Sequence, residues 1–297
     1  MPTAAVNGID LHYESDGAGA PLIALHGGLG FDHTYMRRSF ARLSERHTLI
    51  CPDLRCNGLS LAPIETLSME QLADDVAGLM EALEIEKATI LGHSYGGFVA
   101  QEFCIRHPAR AERLVLVDTT PGNLGADEVE KPGLPIPEEM LAVMSRPPAT
   151  DEEVAEVLQR LMPFYLHSAT AADGLQLLEG TNFRAAPIVA GLGILAGWSC
   201  VDRLKGIRAP TLALWGRHDV VCSPPQAERI VSRIADAELH TFEMSGHFPW
   251  VDEPARCVLQ GARSLVGKNE HVLRDRRRRA TRRVPVARIY ATEASGR

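Results

Sequence analysis

A hydroxyl that attacks, an imidazole that moves its proton and a carboxylate that holds the imidazole make a metal-free route to hydrolysis. The sequence offers one of each, in that functional order apart from an exchange of the last two. Ser94 lies in Gly92-His93-Ser94-Tyr95-Gly96-Gly97, Asp219 in Trp215-Gly216-Arg217-His218-Asp219, and His247 in Ser245-Gly246-His247. The G-x-S-x-G stretch follows the apolar run Ala88–Leu91 and precedes a helical pattern, as a nucleophile raised on a strand–turn–helix requires. Glycine flanks such a turn because a Cβ there would meet neighbouring backbone. The helix start behind Ser94 adds unpaired N–H groups and a positive field for developing negative charge. Asp219 and His247 each follow a strand-like run, so His247 is expected to take the Ser94 proton while Asp219 fixes its tautomer. Asp118, just after Leu114–Val117, is the rival acid. His218 is a weaker candidate base, and the His93 side chain is expected to point into the fold.

A tetrahedral intermediate needs donors for its oxyanion. The run Ala24-Leu25-His26-Gly27-Gly28-Leu29-Gly30 ends a strand in small residues, and the backbone N–H groups of Gly28 and Tyr95 are the expected pair. His26 is expected to brace that loop by hydrogen bonding. Such chemistry requires no metal and no organic cofactor. The six cysteines (51, 56, 104, 200, 222 and 257) show no metal-ligand spacing and read as reduced thiols of a cytoplasmic protein.

The elements that must hold these groups alternate. A hairpin turning at Asn7-Gly8 is followed by strand-like runs at 21–28, 47–53, 87–94, 113–121, 210–216 and 237–243. Helical repeats lie at 69–85, after Ser94 to Pro108, at about 224–235 and at about 253–266. That alternation predicts an α/β fold with a mostly parallel central sheet flanked by helices. Residues 122–205 break the rhythm: Pro-rich and acidic at first, then helical at 151–168 and 186–204. Inserted after the sixth strand, at the carboxyl end of the sheet where such folds bind ligands, they read as a helical cap. The expected organisation is 1–121 and 206–267 as core, 122–205 as cap, and 268–297 as a basic extension. That extension carries ten Lys/Arg against three Asp/Glu, whereas the chain as a whole has a net charge of −7. It lacks interleaved aromatics and is read as a solvated tail rather than a nucleic-acid arm. With 45% apolar residues, no signal-like start and no long apolar run, the chain reads as an ordinary globular protein without a membrane segment. The expected partner is a small molecule, and the oligomeric state stays open.

From about residue 5 to 266 the chain resembles the α/β-hydrolase superfamily. His26-Gly27-Gly28, Gly92-His93-Ser94-Tyr95-Gly96, Gly216-x-x-Asp219 and Ser245-Gly246-His247 agree with its motifs in order and context. The stretch 52–60 is similar to the family's D-x-R-G-x-G-x-S loop, with Cys56 where glycine is expected. His26-Gly27-Gly28-Leu29-Gly30 beneath a helical cap is similar to the proline iminopeptidase branch, with Leu29 in place of proline. That likeness implies cap carboxylates holding a substrate amine, and Glu138, Glu139, Glu156 and Glu179 are available. It equally allows a carboxylesterase, a lactonase or a carbon–carbon bond hydrolase, and Ser94 argues against the dehalogenases and epoxide hydrolases that use aspartate there. Phe164, Tyr165, Phe183, Leu192, Leu195 and Trp198, with Trp250 beside His247, suggest an apolar pocket, to which Leu29 is added. A ligand receptor that keeps the triad is the non-enzymatic alternative.

Overall fold

Asn7 and Gly8 both take positive φ, 44° and 80°, the backbone of a two-residue hairpin turn. They join β1 (Thr3–Val6) to β2 (Ile9–Asp16), with Val6 paired to Ile9. The computed structural model describes residues 2–122 and 133–256. The chain divides into Met1–Val258 and Leu259–Arg297, and the first unit alone is described below. Most of the expected helix at 253–266 and all of the basic extension lie outside the described residues.

The strand-like runs assemble into one sheet in the order β1-β2-β4-β3-β5-β6-β7-β8. Its further members are β3 (Ala20–Leu25), β4 (His47–Pro52), β5 (Ala88–His93), β6 (Ala111–Val117), β7 (Thr211–Gly216) and β8 (Ala237–Phe242). The hairpin pairs antiparallel, and from β4 to β8 every pairing is parallel. The mostly parallel α/β sheet read from the sequence is therefore the one observed, and its carboxyl ends share one edge.

Helices cover both faces. The first helix, α1 (Thr34–Phe40), buries Tyr35 and Met36. Of the expected apolar stripe Leu72, Val76, Leu79 and Leu83, the first three are buried in α2 (Met69–Ala82) and Leu83 is half-buried at its end, while the Ser68 hydroxyl caps the start by accepting the Gln71 N–H. Next, α3 (Tyr95–Arg106) is buried along nearly its whole length, from Tyr95 to Cys104. Boundaries in the sheet and its flanking helices shift by up to four residues from the sequence reading, and the helix read at 69–85 ends at Ala82. The third strand stops at Leu25 instead of running to 28, the sixth at Val117 instead of 121, and the helix after Pro224 is α8 (Pro225–Val231). The first two stop early where the chain turns on functional-loop backbone, with φ of 69° at Gly28 and 42° at Asp118.

Between β6 and β7 lie α4 (Glu138–Ser145), α5 (Asp151–Tyr165), α6 (Ala171–Leu177) and α7 (Ala186–Gly197). Helices α5 and α7 start where the runs read from sequence start, and end three and seven residues earlier than those runs. Helices α4 and α6 were not legible, since one is eight residues between prolines and the other a seven-residue turn containing Gly174. The insertion leaves and returns at one place: Gly122 bridges Ser199, and the Cys200 N–H donates to Pro121 O at 2.9 Å. No helix among the described residues is long and apolar enough to cross a membrane. A short helix, α9 (Pro249–Asp252), follows His247.

A buried ion pair anchors the loop after β4 to α2. Arg55 meets Asp75 at 2.7 and 2.9 Å with both side chains 2% exposed. Removing one partner strands the other charge away from water. Arg55→Met is therefore expected to lower unfolding stability by about 3–5 kcal/mol, measured as a drop in urea midpoint with m unchanged.

Candidate active site

The turn that carries Ser94 is built by close approach. A Cβ on Gly96 would collide with the backbone of Leu25 and His26, and one on Gly92 with the backbone of Gly96 and Gly97. Between β5 and α3 the chain reverses within one residue, and Ser94 itself takes φ 49°, ψ −117°. Positive φ is costly for a residue with a Cβ and persists only where neighbours over-determine it. Here the Ser94 N–H donates to Val117 O at 3.0 Å, while its carbonyl accepts from Gly97 N–H at 2.9 Å and Thr119 Oγ1 at 2.7 Å. Its side chain does not cap α3. From Ala88 to Cys104 every residue is buried except Ser94. Thus the hydroxyl alone faces the open side.

Asp219 follows β7 and is fully buried. One carboxylate oxygen accepts the Val221 and Cys222 N–H groups at 2.8 and 3.0 Å, and the other meets His247 Nδ1 at 2.9 Å. With Nδ1 facing a carboxylate, the neutral ring carries its proton there and leaves Nε2 as the acceptor. Ser94, His247, Gly28 and Tyr95 all line one cavity of about 430 Å³. Gly28 stands at φ 69°, and Tyr95 opens α3, where the first N–H groups have no intrahelical acceptor.

The rival acid has another environment. Asp118 is fully buried, and its Oδ1 accepts the Gly216 N–H at 2.8 Å. Burial first, then the neighbouring charge of Asp219, holds its carboxyl well above the ordinary carboxylate range. The carboxylate bonded to His247 is Asp219. His218 stacks on His167 with centroids 3.5 Å apart.

His93, expected to point inward, does so, and it connects loops as well. Its Nε2 faces His247 O at 3.1 Å, which makes Nε2 the donor, and its Nδ1 accepts the Tyr35 hydroxyl at 2.8 Å. Tyr35 Oη in turn accepts the Gly27 N–H at 2.5 Å. Burial, followed by the nearby His247, pushes the His93 pKa well down, so the ring stays neutral. His26 braces its loop as expected, with Nε2 accepting the Leu54 N–H at 3.0 Å and Nδ1 3.0 Å from Gly27 O. Cys56 sits at φ 67°, a conformation glycine takes freely, and its thiol lies 3.7 Å from Ala62 O within the apolar core.

Of the residues expected to form the pocket, Leu29 lines the cavity, against Gly191 of α7. Tyr165, Leu192 and Leu195 line it too. Phe164, Trp198 and Trp250 are not among its described lining residues and have other neighbours or settings. Trp198 stacks on Phe98 and donates Nε1–H to Glu102 at 3.2 Å, Trp250 packs edge-on to Phe40 and His93, and Phe164 is half-buried on α5. A tryptophan near a catalytic loop in sequence is equally served by core packing. Glu138, Glu139, Glu156 and Glu179 are all exposed.

Residues 22–259 match the sequence model of the alpha/beta hydrolase family. The chain belongs to that family and is a hydrolase. Among curated relatives of this α/β-hydrolase, the 2-hydroxy-6-oxo-6-phenylhexa-2,4-dienoate hydrolase of Comamonas testosteroni is 29% identical over 253 residues, 80% of this chain and 85% of that one. A proline iminopeptidase of Heyndrickxia coagulans is 25% identical over 258 residues, 82% of this chain and 89% of that one. The enol-lactonase from Burkholderia xenovorans LB400 superposes with a TM-score of 0.73 at 25% identity, covering 90% of this chain and all of the other.

Sequence reasoning missed how the hydrolase ties its insertion to the His247 loop. The Asp252 carboxylate accepts the Gly246 N–H at 2.8 Å and those of Ser168 and Ala169 at 2.7 Å, so one side chain holds the exit of α5 beside His247. The His247 N–H donates to Tyr165 O at 2.7 Å, completing the junction. Partners some eighty residues apart leave no local spacing to read. Two described groups bring three possible metal ligands within 4.8 Å, Asp219–Cys222–His247 and His12–His33–Asp53. In each, an imidazole–carboxylate hydrogen bond already joins two of the three, at 2.9 and 2.7 Å.

A carboxyl raised above its unfolded value binds its proton more tightly in the native state. Its stabilisation is full below pH 3.8 and is lost as pH rises through the folded-state pKa. Asp118→Asn, permanently neutral, removes that loss. Urea midpoints measured across a pH series are expected to shift in favour of the variant as pH rises, and parallel curves would contradict a protonated Asp118.

Proposed function

We propose that this α/β-hydrolase is a serine hydrolase that cleaves a carboxylic ester or amide bond of a small substrate through Ser94, His247 and Asp219. The observation that carries the reading is a half-buried Ser94 at positive φ and a His247 held by a buried carboxylate, both lining one cavity. Ser94 Oγ attacks the carbonyl carbon and passes its proton to His247 Nε2. The resulting oxyanion rests on the N–H groups of Gly28 and Tyr95, and Asp219 stabilises the imidazolium. His247 then protonates the leaving oxygen or nitrogen, which departs and leaves an acyl ester on Ser94. A water molecule attacks that ester, gives its proton to His247, and the acid is released as Ser94 regains its own.

The helices of residues 122–205 serve as the cap in this reading, with the core at 1–121 and 206–267. The five described cysteines are free thiols, which fits a cytoplasmic setting. The Comamonas testosteroni relative favours a second reading, hydrolysis of a carbon–carbon bond beside a ketone, and the enol-lactonase likeness a third. Both would use the same carbonyl attack.

An alkyl fluorophosphonate is expected to label the wild type once, at Ser94, as read by peptide mass, and Ser94→Ala not at all. Asp219→Asn is expected to lower kcat on an activated ester by on the order of 10⁴-fold through loss of the correct His247 tautomer. Labelling elsewhere, or equal turnover by Ser94→Ala, would refute the assignment.

A further inference from the structure

The cavity over Ser94 is chemically one-sided. Its polar lining gathers Ser94, His247, His93, the tyrosines 35, 95 and 165, and Ser223 and Gln226. Apart from Tyr165, its walls from the inserted helices are hydrocarbon and thioether. Met140 and Met144 come from α4, Leu158 and Leu161 from α5, and Leu192 and Leu195 from α7. Among the described lining residues there is no Asp, Glu, Lys or Arg.

The charges nearest in sequence are committed or turned outward. Arg184, two residues before α7, donates Nε–H to Gly58 O at 2.8 Å, and Asp151 at the start of α5 accepts the Ala185 N–H at 2.8 Å. The four glutamates that would hold an amine are on the solvent side. Tyr165, the polar lining group on α5, is half-buried, and desolvation and the nearby Asp219 push its pKa up to about 12, so it too stays neutral.

We propose that this cavity takes an uncharged, apolar acyl chain, making the enzyme a hydrolase of neutral carboxylic esters or lactones. A dienoate brings a carboxylate and an iminopeptidase substrate brings a cationic amine. Either charge would leave water for described walls that carry no counter-charge and, beyond Tyr165, Ser223 and Gln226, no polar side chain to replace its hydration. A neutral alkyl chain loses nothing of that kind and gains from every methylene it buries. Leu29 against Gly191 closes the wall on the side of the proposed oxyanion loop, so the chain runs from Ser94 toward α4 and α5.

The inference rests on Ser94 being the nucleophile, and the test separates the two. Wild-type enzyme is assayed on p-nitrophenyl esters from acetate to decanoate, on p-nitrophenyl monoesters of succinate and glutarate, and on prolyl and alanyl p-nitroanilides. Fluorophosphonate labelling at Ser94 is run in parallel, because it reports the nucleophile independently of acyl preference. The expected result is a kcat/KM that rises by up to about four-fold per added methylene until the cavity is filled. At equal chain length, the terminal carboxylate is expected to lower kcat/KM by at least 100-fold, and aminoacyl anilides to be turned over no faster than acetate ester. Leu192→Trp, which fills part of the cavity, is expected to move the optimum to shorter chains. A preference for the monoesters of diacids or for aminoacyl anilides, with Ser94 still labelled, would overturn the substrate class alone. Absence of Ser94 labelling would overturn the reading beneath it.

Discussion

The neutral imidazole of His93 is the joint on which the site depends. Beside Ser94 in sequence, it donates Nε2–H to the carbonyl of His247 and accepts the Tyr35 hydroxyl, which itself accepts the Gly27 N–H. Three loops from distant parts of the chain, those of Gly27, Ser94 and His247, are thereby fixed to one ring. Each bond has a defined direction, because a carbonyl can only accept and a backbone N–H can only donate. A proton on Nδ1 would reverse the Tyr35 bond, and burial makes that charged ring unfavourable.

Around that joint the insertion is fastened by backbone donors and one carboxylate rather than by apolar packing alone. Asp252 gathers N–H groups from both the Gly246 turn and the end of α5, and Tyr165 O receives the His247 N–H. On the opposite side, Gly30 O accepts the Arg184 N–H at 2.8 Å while the Gly30 N–H donates to Asn57 at 2.8 Å. The loops that carry His247 and Gly28 are thus each tied to the helices above the cavity. Cavity shape and site geometry therefore move together, which gives a physical route by which changes in the inserted helices alter reactivity as well as selectivity.

Two carboxylates near the site have opposite roles set by their surroundings. Asp219 receives two backbone N–H groups as well as His247, a setting that suits a negative charge. Asp118, with one such donor and Asp219 beside it, has its protonated form favoured by burial and that neighbouring charge.

Much of this was legible beforehand because it is local. A G-x-S-x-G between an apolar run and a helix, an Asn-Gly between alternating runs, and acid and histidine loops after strands all declare themselves by residues a few positions apart. The parallel sheet follows from strand–helix alternation, and helices within 151–168 and 186–204 were legible too, though they end earlier, at Tyr165 and Gly197. What the sequence left open was decided by contacts between segments far apart. Whether Asp118 or Asp219 meets His247 depends on which loop bends toward β8. Whether Trp198 and Trp250 line a pocket or fill the core depends on packing against Phe98 and His93. The same holds for the absence of charge from the described cavity wall: the glutamates of the inserted helices look available in sequence, and only the orientation of each helix turns them to water. Composition and spacing determine which groups exist and which local turns form; long-range packing alone determines which of them face each other.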